Sequence, residues 1–358
     1  MVFASSAPLA AGGKKTEVAL DVYAVYGTSH TIYISGRVLK RKKIRPPKAK
    51  DSRLKNLTRI LRRLESDEVA ELKIKVTAGK IVARVSTDEE GLFQATLKAP
   101  DKGATFTSSQ EIEIALDNAT GRHTAESLKV RPVIVLSGTV VVVSDIDDTL
   151  IDSGVTERAK LVYRLVFENA STLTPIPGTS RLYQSLHARN PSCPIFYLSG
   201  SPVNLFQRLN EFLKHHKFPE GALLLKNLGR RKDDDSLMEQ KEYKLKRLRE
   251  LVGHLPEARF VLLGDSGEQD SEIYLTFKKE NPEKVLAIFV RRVPNTPKSQ
   301  KIVDGVSRTE DAFETARQLA RQGLISKSAA LQVGKEIWGP NTIPAALIKD
   351  LNEAAECH

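Results

Sequence analysis

The chain has 358 residues, of which 41% are hydrophobic, and its 55 basic residues outnumber its 44 acidic ones to give a net charge of +11. This length predicts two domains of about 100 to 200 residues each, and the apolar fraction excludes a disordered or collagen-like chain. Cys193 and Cys357 are too few and too far apart for a disulfide framework or a zinc knuckle. We therefore expect a globular protein of a reducing compartment.

The net positive charge of the chain comes from one segment. Residues 37–63 contain 13 basic residues and one acidic residue, Asp51, whereas the rest of the chain has 42 basic and 43 acidic residues. Such a segment can bind nucleic acid or an anionic membrane, or it can simply form a solvated surface. No run reaches the 18 or so apolar residues of a membrane span, and the N-terminal stretch MVFASSAPLAAGGKK has no charge before its short apolar run, which makes it a poor secretory signal.

Residues 1–16 are expected to form a flexible N-terminus, and residues 17–132 a β-rich domain. Six runs in this region alternate apolar and polar residues, namely EVALDVYAVY, HTIYISGRVL, AELKIKV, KIVARVST, LFQATLKA and EIEIAL. Short alternating runs with glycine-containing turns predict an antiparallel sandwich or barrel of roughly seven strands. The basic segment interrupts this domain as a helical insertion at 37–65.

Within the insertion, residues 52–65 predict an amphipathic helix with leucines on one face and basic side chains on the other. A basic amphipathic helix can lie in the interface of an anionic membrane. Its apolar face can equally pack on the sandwich while its charges are solvated. Both interpretations stay open at this point.

From residue 133 the pattern changes to apolar strand, loop and helix. The runs VIVLSGTVVVVSD, CPIFYLSGS, ARFVLLGDS and KVLAIFVRRV show little alternation, which is typical of strands covered on both faces. Between them, residues 202–215 predict a helix with Ser201 as N-cap and Pro202 at its first position. The alternation predicts a doubly wound, mostly parallel sheet over residues 133–308.

Residues 309–358 predict two C-terminal helices that are separated near Gly323. Their pattern contains no chemistry that we can identify. Packing on the sheet and a mobile accessory role both remain open for them.

Polar side chains follow three of the apolar strands, at the edge where open parallel sheets collect reactive groups. They are Asp145, Asp147 and Thr149 after the first strand, Ser199 and Ser201 on the second, and Asp265 and Asp270 on the third. Repulsion among the carboxylates implies a cation, and a ligand set made only of oxygen favours Mg²⁺ over zinc.

The residue types also suggest separate roles in phosphoryl chemistry. Asp145, at a strand tip, suits in-line attack on phosphorus, and Asp147 suits protonation of the leaving oxygen. The hydroxyl of Ser199 and the adjoining N–H groups can hold phosphate oxygens. Lys244, on the predicted helix KEYKLKRLREL, can reach the same edge as a point charge.

These motifs resemble those of the haloacid dehalogenase superfamily of aspartate-nucleophile phosphatases. The motifs are DIDDT at 145–149, a strand ending in Ser199, then Lys244, then GDSGEQD at 264–270. The resemblance is closer to the catalytic domain of the phosphatidate phosphatases of the actin-patch-protein family. It covers roughly residues 133–293, and also rests on YLSGSPVNLFQRLNEFL and FPEGALLL.

The resemblance implies a Rossmann-like, haloacid dehalogenase-like fold and a set of site residues. Asp145 would be the nucleophile and a Mg²⁺ ligand, and Asp147 the acid/base and a ligand through its carbonyl. Asp265 and Asp270 would lie on or beside the metal. The residues expected to bind the substrate phosphate are Thr149, Ser199, Gly200 and Lys244, of which Ser199 and Lys244 are also expected to be catalytic.

The leading hypothesis is a magnesium-dependent phosphomonoesterase that forms an aspartyl phosphate and acts on phosphatidate or a related lipid phosphate. Its expected partner is an anionic membrane surface, contacted peripherally through the basic segment, and its expected location is the cytoplasm. One alternative is the same chemistry on a soluble or nucleic-acid phosphate. Another is a non-catalytic membrane-binding protein with a phosphatase-like fold.

Overall fold

The computed structural model describes residues 16–40, 68–100, 105–117, 123–152, 173–189, 193–227, 238–294, 304–339, 342–344 and 348. The predicted flexible N-terminus lies outside the described residues, apart from its last residue. Of the predicted insertion at 37–65, residues 37–40 belong to the strand Thr31–Lys40, whereas residues 41–65, which include the predicted basic helix at 52–65, lie outside the described residues. In the part of the chain that is described, no helix is long and apolar enough to cross a bilayer.

Two β-sheets make up the N-terminal part of the described chain. The first contains β5 (Leu92–Lys98), β2 (Thr31–Lys40), β1 (Thr16–Gly27) and β7 (His123–Thr124) in that order, and β9 (Val133–Ile134) also pairs with β1. The second contains β4 (Ile81–Ser86), β3 (Lys73–Ala78), β6 (Ile112–Leu116) and β8 (Leu128–Val130). Neighbours in the second sheet are antiparallel, as are β1, β2 and β5.

Both sheets contribute to one hydrophobic core, which includes Val18, Ile34, Ile74, Phe93 and Ile112. Every second side chain of β5 is buried, as expected for a half-buried strand. All six alternating runs of the sequence contain a strand, so that part of the prediction is confirmed. Face-to-face packing of the sheets as a sandwich stays a prediction.

A six-stranded parallel sheet forms the second half of the molecule. Its order is β12 (Ala222–Lys226), β11 (Ile195–Pro202), β10 (Val140–Ser144), β13 (Arg259–Asp265), β14 (Val285–Arg291) and β15 (Ser307–Thr309). All neighbours are parallel. The predicted mixed α/β fold with a parallel sheet is therefore confirmed.

Helices cover both faces of this sheet. The described helices are α1 (Thr179–Arg189), α2 (Phe206–His215), α3 (Gln240–His254), α4 (Asp270–Glu280), α5 (Ala312–Arg321) and α6 (Lys327–Trp338). Val142 of β10 packs into one core with α1, α2, α5 and α6, whereas Val141 and Val143 pack into the other with α3 and α4. This two-sided burial explains why the strands lack alternation.

The C-terminal helices α5 and α6 pack on the parallel sheet rather than standing apart from it. Their residues Phe313, Leu319 and Val333 are buried in the same core as α1 and α2. The ring of Trp338 meets that of Phe313 edge-on, with centroids 5.2 Å apart. Of the two interpretations left open by the sequence, the structure favours packing.

The helix that follows β11 begins later than predicted. Ser201 and Pro202 belong to β11, a 3₁₀ turn covers Val203–Leu205, and the α-helix begins only at Phe206. The prediction of Ser201 as N-cap and Pro202 as first helical residue is therefore wrong. The physical reason is that the Ser201 hydroxyl donates to Asp147 at 3.0 Å, and is used in the site instead of at the helix end.

Candidate active site

The carboxyl ends of three adjacent strands meet at one edge of the parallel sheet. β10 lies between β11 and β13, so the residues that follow these strands become neighbours. Asp145 follows β10, Ser199 lies near the end of β11, and Asp265 ends β13. Helix α3 brings Lys244 to the same edge. The structure thus brings the predicted site residues together although the first and the last, Asp145 and Asp270, are 125 positions apart in sequence.

Lys244 lies at the centre of a group of carboxylates. Its ammonium donates to Oδ1 of Asp145 at 2.6 Å, to Oε2 of Glu268 at 2.9 Å and to Oδ1 of Asp270 at 2.5 Å. The side chains of Lys244, Asp145 and Asp270 are completely buried. Charge-assisted hydrogen bonds of this length are strong, so the lysine holds the three acids in a fixed arrangement.

Asp145 is held through its backbone, and one of its carboxylate oxygens accepts no hydrogen bond from the described residues. Its N–H donates to the carbonyl of Leu263 at 2.9 Å, and the hydroxyl of Ser144 donates to its carbonyl at 2.6 Å. Its Oδ1 accepts from Lys244, whereas its Oδ2 is buried without a hydrogen-bond partner among the described residues. A buried carboxylate oxygen with no donor implies a ligand that the protein itself does not supply.

Asp147 is oriented by two hydroxyl groups from the end of β11. Its Oδ2 accepts from Ser199 at 2.8 Å and from Ser201 at 3.0 Å. The N–H of Ser201 also donates to the Ser199 hydroxyl at 2.9 Å, and this bond closes a short turn around Gly200. The second aspartate therefore faces a different set of partners from the first, as separate chemical roles would require.

Asp265 and Asp270 are linked through the turn that joins β13 to α4. Oδ1 of Asp265 accepts from the N–H groups of Gly267 and Glu268 at 2.6 and 3.2 Å, and the hydroxyl of Thr149 lies 3.3 Å from its Oδ2. Oδ2 of Asp270 lies 3.3 Å from the N–H of Asp265. These contacts join the first and the last aspartate of the GDSGEQD motif, Asp265 and Asp270, and so fix the turn between them.

Gly264 makes room for the second of these carboxylates. A Cβ at this position would lie 2.5 Å from Oδ2 of Asp270 and 2.8 Å from a ring carbon of Tyr274. Both distances are shorter than real Cβ contacts, so any side chain would displace Asp270. The glycine in the motif is therefore required by close approach.

The site contains more buried negative charge than its one buried lysine can neutralise. Five carboxylates are buried here, namely those of Asp145, Asp147, Asp265, Glu268 and Asp270. Burial raises the pKa of Asp145 well above its ordinary value, although Lys244 opposes this. Burial also raises the pKa of Asp265 and Asp270. Burial alone would lower the pKa of Lys244, but its carboxylate neighbours raise it well above its usual value.

This donor set fits a divalent cation. Asp145, Glu268 and Asp270 each offer an oxygen, and these three oxygens lie within 4.8 Å of one another. Hard cations such as Mg²⁺ and Ca²⁺ prefer oxygen ligands of this kind. The unpartnered Oδ2 of Asp145 and the excess of buried carboxylates support the same conclusion. Asp147 and Asp265 are not members of this cluster, and their predicted roles as ligands stay predictions.

Two contributors to the site, Glu268 and Arg291, have no role in the sequence prediction, although Glu268 lies inside the GDSGEQD motif. The sequence places a third, Ser201, at the sheet edge, but it predicts only a helix cap for its hydroxyl. Arg291, at the end of β14, donates through Nε to the carbonyl of Asp148 at 3.2 Å and also through Nη2. Asp148 has a positive φ of 56°, so the arginine holds a turn in the left-handed region directly after Asp147.

Comparison with known proteins finds relatives of the part of the chain that contains these residues. Residues 140–292 match the family model described as "Phosphatidate phosphatase APP1, catalytic domain". Phosphatidate phosphatase APP1 of Saccharomyces cerevisiae is 31% identical over 154 residues, which are 43% of this chain and 26% of that protein. An uncharacterized protein of Schizosaccharomyces pombe is 25% identical over 245 residues, which are 65% of this chain and 39% of that protein.

Among solved structures, a class C acid phosphatase from Bacillus anthracis aligns with 42% of this chain and 66% of its own, at 18% identity and a TM-score of 0.28. The chain spans well under half the length of the two relatives named above. Residues 140–292 contain every predicted site residue. The resemblance to the catalytic domain of this phosphatidate phosphatase family is therefore confirmed.

Proposed function

We propose that this protein is a magnesium-dependent phosphomonoesterase that forms an aspartyl phosphate and acts on phosphatidate or a related lipid phosphate. One observation carries the proposal. A buried ammonium, that of Lys244, joins Asp145, Glu268 and Asp270 at the sheet edge, while Asp147 is oriented separately by two serines. A nucleophile and an acid/base with different surroundings are what a two-step phosphoryl transfer requires.

In the first step, an oxygen of Asp145 attacks phosphorus in line with the leaving group. The bond from phosphorus to the substrate oxygen breaks, and Asp147 delivers its proton to that oxygen. Asp145 then carries the phosphoryl group as an acyl phosphate. Donors that face the equatorial oxygens would be the hydroxyls of Thr149 and Ser199, the N–H of Gly200 and the ammonium of Lys244.

In the second step, Asp147 takes a proton from a water molecule that attacks the acyl phosphate. The phosphorus–Asp145 bond breaks, inorganic phosphate leaves and both carboxylates return to their starting states. Ser201 holds Asp147 in place for both proton transfers, while the Ser199 hydroxyl, which donates to Asp147 in this structure, would turn its one proton to the phosphate when substrate binds. Mg²⁺, held by Asp145 and Asp270 with Glu268, Asp265 and the carbonyl of Asp147 as further oxygen donors, would neutralise charge so that two anions can meet.

The lipid phosphate class is supported by the family match and by the charge distribution. The matched family model is that of a phosphatidate phosphatase catalytic domain. The basic segment at 37–63 carries a net charge of +12, to which Arg37 contributes from a buried position that a bilayer does not reach. Each basic residue that lies near an anionic bilayer contributes about 1 kcal/mol of attraction. We propose that the protein is cytoplasmic and binds such surfaces peripherally.

A substrate panel tests the reaction. Phosphate release with Mg²⁺ is measured on phosphatidate, lysophosphatidate, a sugar phosphate and a phosphorylated oligonucleotide. We expect the highest kcat/KM on a lipid phosphate and loss of release in Asp145→Asn, with no loss in Asp304→Asn, an exposed aspartate far along the chain from the site.

Each result of the panel has a clear meaning. Preference for the sugar phosphate or the oligonucleotide would replace the lipid proposal by the soluble or nucleic-acid alternative. A folded wild-type protein that releases phosphate from none of the four would support the non-catalytic alternative, and an active Asp145→Asn variant would refute the nucleophile.

Sedimentation with vesicles tests the membrane proposal separately. We compare phosphatidylserine-containing with purely phosphatidylcholine vesicles, using wild type, a variant in which the basic residues at 41–63 are glutamine, and a control with Lys278→Gln and Lys279→Gln. Binding to the anionic vesicles alone, lost only in the first variant, is expected. Equal binding to both vesicles would refute recruitment by charge.

A further inference from the structure

Arg37, on β2 of the N-terminal sheet, is a buried arginine that reaches into the catalytic half of the molecule. Its side chain is only 3% exposed. Nε donates to the carbonyl of Glu90 at 2.7 Å, Nη2 to Glu68 at 2.7 Å, and Nη1 to Oδ1 of Asn204 at 3.0 Å. The first two partners belong to the N-terminal part of the chain, whereas Asn204 lies in the 3₁₀ turn after β11.

Two further contacts from β1 reinforce the same junction. The rings of Tyr23 and Phe206 lie 4.5 Å apart in a tilted arrangement. Nε2 of Gln207 lies 3.2 Å from both carboxylate oxygens of Asp21. Three residues from the N-terminal sheet therefore hold the short segment 204–207.

Segment 204–207 directly follows the part of β11 that orients Asp147. Pairing of β11 with β12 is regular up to Ser199 and resumes only at Pro202. Gly200 and Ser201 therefore have no paired residue on β12. An irregular strand end of this kind is not fixed by its own sheet hydrogen bonds. Its position therefore depends on the contacts that hold the residues on either side.

We propose that Arg37 is a positioning residue of the active site, an inference that rests on the proposed phosphatase function. By fixing Asn204, it holds the 199–202 segment where the hydroxyls of Ser199 and Ser201 reach Asp147. The N-terminal sheet is thus a structural part of the catalytic apparatus. It does more than bring the enzyme to a surface.

The chemistry of the three bonds explains why the residue is an arginine. A guanidinium presents rigid donors in several directions, and here it serves two acceptors in one half of the molecule and one in the other. A lysine at position 37 would keep the charge for Glu68, which is 36% exposed, but its single ammonium could not reach all three acceptors. A lysine at position 37 is therefore expected to restore the ion pair with Glu68 but not the position of Asn204.

The test measures kcat and KM on p-nitrophenyl phosphate with Mg²⁺ in full-length variants whose folding is checked by thermal unfolding. Because a misplacement of about 1 Å can cost about 100-fold in rate, we expect Arg37→Met and Asn204→Leu to lower kcat by about 10- to 100-fold, with a much smaller change in KM. The double variant should be no slower than the slower single one, since both act through one bond.

Two further variants distinguish positioning from a general loss of structure. Asn204→Asp keeps an acceptor for Arg37 and should keep kcat close to wild type. Arg84→Met removes an exposed arginine of the same N-terminal part, paired with Asp117, and should change nothing. Amide hydrogen exchange gives a readout that needs no activity, and Arg37→Met should accelerate exchange within 199–213 more than elsewhere.

The outcomes separate this inference from the proposed function. If wild type is active while folded Arg37→Met and Asn204→Leu keep its kcat, the positioning role is refuted and the phosphatase proposal stands. If wild type hydrolyses no phosphomonoester at all, the phosphatase proposal fails. Unchanged exchange in 199–213 would then refute the structural link as well.

Discussion

Lys244 and Arg37 are two of the basic side chains that the described part of the chain buries, and their surroundings differ in charge balance. Lys244 lies among three carboxylates, and Oδ2 of Asp145 next to it has no partner among the described residues. Arg37 donates to one carboxylate, one carbonyl and one amide, each through a separate nitrogen, and it also interacts electrostatically with Asp21. The first site thus has five buried carboxylates around one lysine, whereas the second has two carboxylates near one arginine.

This difference distinguishes a place that does chemistry from a place that maintains structure. Buried charge that the protein leaves uncompensated costs free energy, and it persists where a ligand completes the site. Buried charge that is fully paired holds elements together. The predictions below test this distinction, starting with the largest expected effect.

Replacing Lys244 by methionine should have the largest effect on both stability and rate. Loss of one partner from a buried ion pair costs about 3–5 kcal/mol, and loss of a charge that stabilises the transition state costs about 10³-fold in turnover. Urea unfolding and phosphate release measure the two effects. Lys241→Met, on the same helix with a partly exposed ion pair to Glu272, is the matched control.

A wild-type unfolding free energy in Lys244→Met would contradict the idea that this lysine compensates the carboxylates. It would mean that protons on the acids already neutralise the cluster. The comparison between the two cations would then lose its basis.

Removal of either serine hydroxyl that faces Asp147 should have an intermediate effect. A hydrogen bond to a charged group contributes about 1.5–3 kcal/mol, so Ser199→Ala and Ser201→Ala should each lower kcat by about 10- to 100-fold. Steady-state rates with Mg²⁺ measure this loss, and Ser328→Ala, an exposed serine on α6, serves as control. If Ser201→Ala keeps full activity, Ser201 has no part in orienting the acid/base.

Glu268→Gln should weaken the binding of Mg²⁺ without abolishing the fold. A ligand that binds only the folded state raises the melting temperature in a concentration-dependent way, so a thermal titration with Mg²⁺ gives its affinity. We expect about a tenfold weaker affinity, as found when groups around a metal are altered. Glu280→Gln, whose carboxylate pairs with Arg249 at the surface, should bind Mg²⁺ like wild type. Equal affinities would remove Glu268 from the metal site.

The smallest expected effect concerns His254, at the end of α3 where the two halves meet. Its Nδ1 lies 2.8 Å from the hydroxyl of Tyr26, and its ring stacks on Tyr33 with centroids 3.6 Å apart. Burial lowers the pKa of His254 from 6.5, although Glu250 opposes this and Arg247 adds to it. Folding therefore favours the neutral form of His254.

The sign of the resulting pH dependence follows from linkage. The unfolded chain binds the proton more readily than the folded one, so the free energy of unfolding falls as the pH drops below about 6.5. His254→Gln should reduce this fall, and His30→Gln, an exposed histidine, should not. Urea unfolding at neutral and mildly acidic pH measures it. Parallel curves for wild type and His254→Gln would contradict the prediction.

The sequence predicted those parts of the fold that repeat a local pattern. Alternating runs indicated six of the nine strands described in the two N-terminal sheets, and apolar runs indicated the central strands of the parallel sheet. The edge strands Ala222–Lys226 and Ser307–Thr309 were not predicted, because a short apolar or polar run has no period to detect. The start of α2 was misplaced because a serine can cap a helix or serve a site, and local sequence does not distinguish the two.

The candidate site could be predicted where its residues lie in compact motifs. DIDDT and GDSGEQD each place several acids at a strand end, and the structure brings Asp145 and Asp270 together with Lys244. The Arg37–Asn204 bond could not be predicted, because it joins positions 167 residues apart and neither has a local signal. Pairings of this kind are set by tertiary packing alone.

The segment 41–67 is bracketed by residues that already touch each other. Leu39 and Glu68 form an antiparallel bridge, and the carboxylate of Glu68 pairs with Arg37. A stretch of chain that leaves and returns at one point can change in length or composition at little entropic cost to the rest. A change in the length of segment 41–67 should therefore change the entropy of loop closure by little, because the Leu39–Glu68 bridge and the Arg37–Glu68 pair hold its two ends together in either case.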